Sequence, residues 1–152
     1  MKRSILLFLM VLCMTTVSLA QTCRDKNNMT IGKIESDGTV RNASNMKIGC
    51  FDRGVIRDAS NMKVGSIDGS TIRDKSNMKI GSIDSDGTVR DASNMKIGSV
   101  ERNGTVRDKS NMKVGSADGV NPTYAAVFFF FLHFANGKKT KNFSDASLST
   151  GG

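Results

Sequence analysis

The chain has 152 residues, of which 38% are hydrophobic and 24% charged, with a net charge of +8. Its basic residues alternate with acids over most of the length, so no basic arm of the kind that tracks a phosphate backbone is present, and no nucleic-acid partner is expected. One histidine and three cysteines, with no Cys-x-x-Cys pair, exclude the common metal frameworks, so neither a metal nor a cofactor is expected.

Residues 1–20 read as a signal peptide. Lys2 and Arg3 precede an apolar run from Ile5 to Val17, too short to span a bilayer as a helix, and Ser18-Leu19-Ala20 supplies the small residues that a signal peptidase reads. Cleavage after Ala20 lowers the net charge by two and leaves Gln21 first. The expected location is therefore outside the cytoplasm: periplasm, outer envelope or secreted. Cys23 and Cys50 then share an oxidising compartment. Cys23 takes the apolar position held elsewhere by Val40 or Ile56, and Cys50 follows Ile48 by two residues. A disulfide between them is the expectation, with two reduced thiols as the plain alternative.

From residue 21 to 120 the chain is a repeat domain. A ten-residue block recurs as RDKNNMTIGK (from Arg24), RNASNMKIGC (Arg41), RDASNMKVGS (Arg57), RDKSNMKIGS (Arg73), RDASNMKIGS (Arg90) and RDKSNMKVGS (Arg107). The Asn-Met pairs begin at Asn28, Asn45, Asn61, Asn77, Asn94 and Asn111, spaced 17, 16, 16, 17 and 17 residues apart. All length variation falls between the blocks, at or beside Asp37-Gly38, Asp86-Gly87, Asn103-Gly104 and their shorter counterparts. Chains tolerate insertions at exposed turns, and Asp-Gly and Asn-Gly are strong hairpin-turn dipeptides; Asp118-Gly119 carries the same signal. The flanking residues are β-formers, and the Ser-Asn pairs are placed to close a second turn. Gly32, Gly49, Gly65, Gly81, Gly98 and Gly115 interrupt the alternation, which predicts a bulge or a close backbone approach.

Each unit offers about four apolar side chains, such as Val40, Met46, Ile48 and Phe51, too few to fold alone, so units must stack. The six repeated methionines are expected in that core, since Met fills irregular space. The chain begins and ends on complementary half-units. Pairing the strand near Thr22–Lys26 with that near Lys113–Asp118 removes both free edges. The predicted fold class is all-β: a closed ring of tandem 16–17-residue β-hairpin repeats.

Stretches such as Ile80 to Asp91 (IGSIDSDGTVRD), with the later Tyr124-Ala125-Ala126-Val127-Phe128 run, resemble the 5-fold β-flower family of exported, Bacteroidetes-type bacterial proteins. The resemblance covers about Thr22 to Phe134. It implies a small ring of hairpin petals and an exported location, and it supplies no activity. Five uninterrupted hairpins and two end halves leave the count at five or six petals.

Catalysis needs converging, non-equivalent groups, whereas this sequence repeats the same groups. His133 sits in an aromatic run, and no nucleophile elbow or phosphate loop is present, so no enzyme is expected. The Asp84–Gly87 tip lacks the remaining ligands of a calcium loop. The candidate binding set is Arg24, Arg41, Arg57, Arg73, Arg90 and Arg107, whose guanidinium forks would suit an anionic polymer or glycan. The plainer reading makes these residues an Arg–Asp ladder between neighbouring units. Residues 121–135 form an aromatic segment, YAAVFFFFLHF at its centre, that must be covered: by the ring as a final strand or plug, by another subunit, or by a membrane. Residues 136–152 are a polar tail read as flexible. The functional expectation is a non-catalytic, exported structural or binding module of the cell envelope. Its alternative is a protein that engages a membrane or partner, or itself, through Phe128–Phe131.

Overall fold

The computed structural model describes residues 21–131. The signal segment 1–20, His133 with the rest of the aromatic segment, and the polar tail lie outside the described residues.

Two kinds of turn alternate along the chain and set its architecture. At the first kind, the carboxylate of Asp25 accepts the N–H groups of Asn27 (2.8 Å) and Met29 (2.9 Å). Asn28 follows at φ 67°, in the left-handed region that asparagine tolerates. The same device recurs at every block, with Asn42 replacing aspartate in the second. The second kind explains the two repeat lengths. In the longer units the tip is three residues, as in Ser36-Asp37-Gly38, with Gly38 at φ 88° and Gly38 N–H donating to Glu35 C=O (2.9 Å). The shorter units use two-residue tips. Arg53 and Gly54 both have positive φ, whereas Gly69-Ser70 has it only at the glycine, the signatures of types I′ and II′.

These turns join twelve strands: β1 (Gln21–Asp25), β2 (Thr30–Ile34), β3 (Thr39–Asn42), β4 (Lys47–Asp52), β5 (Val55–Asp58), β6 (Lys63–Asp68), β7 (Thr71–Asp74), β8 (Lys79–Ile83), β9 (Thr88–Asp91), β10 (Lys96–Val100), β11 (Thr105–Asp108) and β12 (Lys113–Ala117). Each pairs antiparallel with its sequence neighbours, and β1 pairs with β12 through Cys23↔Ala117, Arg24↔Ser116 and Asp25↔Gly115. The sheet is a closed barrel, as the complementary half-units predict. Antiparallel order places all Asn-Met turns at one end of the barrel and all Asp-Gly-type tips at the other. Counted by tips the ring has five petals; counted by Asn-Met turns it has six units. At the sixth tip position the chain is not continuous, and Asp118-Gly119 is an exit turn rather than a hairpin tip, with Val120 N–H reaching Ala117 C=O at 3.4 Å.

Inside the wall lie Cys23, Val40, Ile56, Ile72, Val89 and Val106, one per unit and each 0% exposed. By the transfer scale each such aliphatic side chain stabilises the fold by roughly 1.5–3 kcal/mol. Nearer the tips a second layer contains Ile34, Phe51, Ile83, Val100 and Ala117. The outward positions are threonine, serine, arginine and lysine, and the strands run four to six residues. A lipid-spanning barrel needs about 9–11 residues per strand with an apolar outer face, and this wall has the opposite polarity.

Every unit carries a bulge. Val40 faces Gly49 and Arg41 faces Lys47, so Ile48 is the extra residue; Ile31, Val64, Ile80, Ile97 and Val114 are its equivalents. The expected break at the glycines is thus a bulge at the residue before each. The bulge also corrects the methionine assignment. Met46 belongs to the turn, its N–H donating to Asn42 Oδ1 (3.0 Å) and its C=O accepting from Asn42 N–H (3.0 Å). Its side chain is exposed. All six repeat methionines are 60–67% exposed rather than in the core.

After β12, Asn121 caps a short helix, α1 (Pro122–Ala126), by accepting Thr123 N–H at 2.9 Å; Pro122 sits at its first position. A π-helical turn (Val127–Phe131) continues it.

Candidate functional site

A twelve-stranded ring is wider than the eight-stranded barrels that side chains of the wall can fill. The aromatic run fills this one. A Cβ built on Gly32 would lie 3.1 Å from Phe128 Cζ, and one on Gly115 would lie 2.6 Å from Phe129 Cε1. Phe130 and Phe131 press equally closely on Gly98 and Gly81. Four consecutive phenylalanines thus take the glycine slots of four consecutive units, on β2, β12, β10 and β8. Tyr124 stacks on Phe51 with centroids 4.2 Å apart. The membrane- or partner-engaging reading needs these rings exposed, but Phe128 and Phe130 are 2% and 4% exposed and all four face the lumen. They plug the ring.

The six arginines lie on the outer face, one per unit, and do not converge. Each is pinned by its own hairpin. Arg41 Nη1 donates to Asn45 C=O (3.2 Å) and Nε to Glu35 Oε1 (2.9 Å). Arg90 and Arg107 repeat the pattern with Asn94 and Asp84 (3.3 and 2.8 Å) and with Asn111 and Glu101 (3.3 and 2.7 Å). Arg24 substitutes Thr30 Oγ1 for the acid, Arg73 meets Asp68 at 3.8 Å, and Arg57 donates to Asn61 C=O. The expected Arg–Asp ladder between neighbouring units is corrected here: the aspartate (Asn42 in the second unit) after each arginine caps its own turn, and Arg41, Arg73, Arg90 and Arg107 pair instead with an acid at the end of the preceding strand. These pairs are about a third exposed, so each contributes well under about 1 kcal/mol.

Cys23 and Cys50 are free thiols. Cys23 is level with Gly32 and Ala117 and faces the lumen, whereas Cys50 is level with Thr39 and Arg57 on the outer face. Three strand spacings, about 14 Å, also separate β1 from β4. The expected disulfide is corrected by the strand register. The bulge at Ile48 shifts the alternation, so a residue two positions on need not share its face. Burial, with the nearby Asp118 carboxylate second, pushes the Cys23 thiol up to about 12.

At the tips, Asp37 accepts Thr39 N–H and Asp86 accepts Thr88 N–H (2.8 and 2.9 Å). These backbone bonds, then the threonine hydroxyls, hold both carboxyls below their ordinary value. A cleft of about 380 Å³ opens beside Asp86, between Ser70, Asp84, Arg102 and Thr123. Among the described residues no group of three or more His, Cys, Asp or Glu is placed to hold a metal ion.

The feature that sequence reasoning missed is the ring of exposed methionines. Its signal was the Asn that precedes each Met: a left-handed asparagine ends a turn, and a residue so placed starts at the rim. A family model described as 5-fold beta-flower protein matches residues 20–133. Neither the curated proteins nor the solved structures contain a significant match to the chain.

Proposed function

The chain belongs to the 5-fold β-flower family, and from that premise we propose that it is a non-catalytic, exported structural and binding module of the cell envelope. The observation that carries this reading is the closed, internally plugged ring: its interior is occupied by its own aromatic segment, and its polar groups are the same few repeated around the outside. Such a surface suits an extended or repeating ligand rather than a single reacting centre. The leading segment of residues 1–20 supports export.

Two measurements test it. Mass spectrometry of the protein recovered from fractionated cells should find Gln21 as the first residue, outside the cytoplasm. Polyanion and glycan-array binding by that protein should fall in an Arg73→Ala/Arg90→Ala variant. A chain retained intact in the cytoplasm, or turnover of a substrate dependent on a single polar cluster, overturns the proposal.

A further inference from the structure

We propose that the Asn-Met end of the barrel is a docking face for an anionic lipid surface, an inference that rests on the envelope reading and names the partner of that module.

The six methionines are the large exposed hydrophobic side chains of the described residues: Met29, Met46, Met62, Met78, Met95 and Met112. A single exposed methionine needs no explanation, but six at one end of one barrel form a patch. They are held rather than loose. In each unit the methionine N–H donates to the Oδ1 of the aspartate or asparagine that opens the turn, at 2.9–3.0 Å, and its C=O accepts that residue's N–H. Two residues after each methionine stand the half-buried Ile31, Ile48, Val64, Ile80, Ile97 and Val114, which pack against the core and add further apolar surface at this end. Within the chain the position two residues before the Asn varies between Lys and Ala, while the Met never varies.

Charge selects the occupant. The residue after Met is lysine in five units (Lys47, Lys63, Lys79, Lys96, Lys113), and Lys26, Lys75 and Lys109 lie in the turns themselves; all eight are exposed. Against them stand five aspartates, already bonded to turn N–H groups. The opposite end has eight acidic residues against Lys33, Arg53 and Arg102. A second copy docking by the same face would oppose two positive rings. A soluble polyanion would leave the methionines in water. A bilayer surface offers an apolar layer directly beneath an anionic one, in a plane, which matches a circular rim of methionines flanked by lysines whose long stems reach headgroups.

The test uses the chain from Gln21 to Gly152, which keeps every described residue and lacks the apolar leader that would bind lipid by itself. Flotation with vesicles of phosphatidylcholine alone and with 30% phosphatidylglycerol, a composition in the range that gives a clear surface potential, should show at least tenfold stronger partitioning to the anionic vesicles. A Met62→Ser/Met78→Ser/Met95→Ser variant should lose about tenfold, and Lys63→Gln/Lys79→Gln/Lys96→Gln should lose the anionic preference. Both alter exposed side chains, and an unchanged thermal melt confirms their fold. The chain has no tryptophan, so Met78→Trp provides a single reporter whose emission should shift to the blue on anionic vesicles. No flotation, or flotation indifferent to the methionines, overturns the inference. So does a dimer that the Met→Ser variant dissolves, which would make a second copy the occupant. Binding to dextran sulfate without binding to vesicles overturns it while leaving the binding-module reading intact.

Discussion

Phe129 occupies the space that a side chain at Gly115 would need: a Cβ there would lie 2.6 Å from Phe129 Cε1 and 3.0 Å from its Cζ, and would also strike the Arg24 carbonyl on β1. Gly115 is therefore required twice, by the plug and by the strand across the seam. Gly115→Ala should destabilise the protein by roughly 1–3 kcal/mol, the usual cost of overpacking. Removing the ring as well should give less than the sum of the two single effects, because one of the two collisions is then relieved. Chemical denaturation of the two single variants and the double variant checks this; strict additivity would show that the ring and the glycine do not meet.

Phe128 tests the plug itself. Its side chain is 2% exposed against Gly32. Phe128→Ala opens a cavity in the lumen and should cost about 3–5 kcal/mol. Thermal melting followed by circular dichroism should drop by several degrees or more, with a β-type spectrum before the transition. A variant as stable as the parent would mean that the ring holds without its aromatic filling.

Cys23 predicts an alkaline sensitivity. Its folded-state value of about 12 stands above the ordinary 9.0. Between those values the unfolded chain releases the thiol proton and the folded one retains it, so stability falls as pH rises through about 9 and onward. Cys23→Ser or Cys23→Val should flatten that slope. In the native state at pH 8 a thiol reagent should modify Cys50 and spare Cys23; equal labelling would contradict the lumenal placement.

The tips predict the behaviour in acid. Asp37 and Asp86 have folded-state values below 3.8. Their contribution is complete above the unfolded carboxyl value and is lost as pH falls through the lower folded value, a window beneath roughly pH 4. Asn103 makes the same bond to Thr105 N–H (2.9 Å) with a group that does not titrate. Amide exchange at Thr39 and Thr88 should accelerate at low pH relative to Thr105. A uniform response at all three would remove the carboxylates from the account.

The seam gives a fifth contrast. β1 holds its place through β2 and β12 together. Deleting residues 22–29 removes one partner and uncovers β12, so the whole ring should unfold rather than lose one unit. Hydrogen exchange that stayed protected from β5 to β9 in the deletion variant would show independent units.

The repeat, the two turn types and the closure of β1 on β12 were all legible in the sequence, because turn chemistry and edge protection are local or combinatorial properties. Placement relative to the wall was less so. A period-two reading assigns Met46, Ile48 and Cys50 to one face, and it holds only while the strand is regular. The extra residue at Ile48 breaks it and puts Cys50 on the outer face, while Met46 belongs to the Asn42 turn rather than the strand and is exposed. The phenylalanines showed that they needed cover. That the cover would be the glycines of the ring depends on lumen width, which no single hairpin encodes. The arginines were visible as a repeated set; that each would be held by its own hairpin follows from acids six residues earlier, such as Glu35, Asp84 and Glu101.

Because β1 is joined to β12 by hydrogen bonds and not by chain, the barrel's last ladder forms between the first strand made and the last. Local hairpins assemble quickly, but that contact spans nearly the full sequence distance of the ring and must wait for it. The aromatic segment follows β12, so the lumen also has no filling until synthesis of the ring is over. A chain of this design cannot close and fill its ring before β12 and the aromatic segment have been made. Until then it is a string of short hairpins, and closure and plugging come together as one late event.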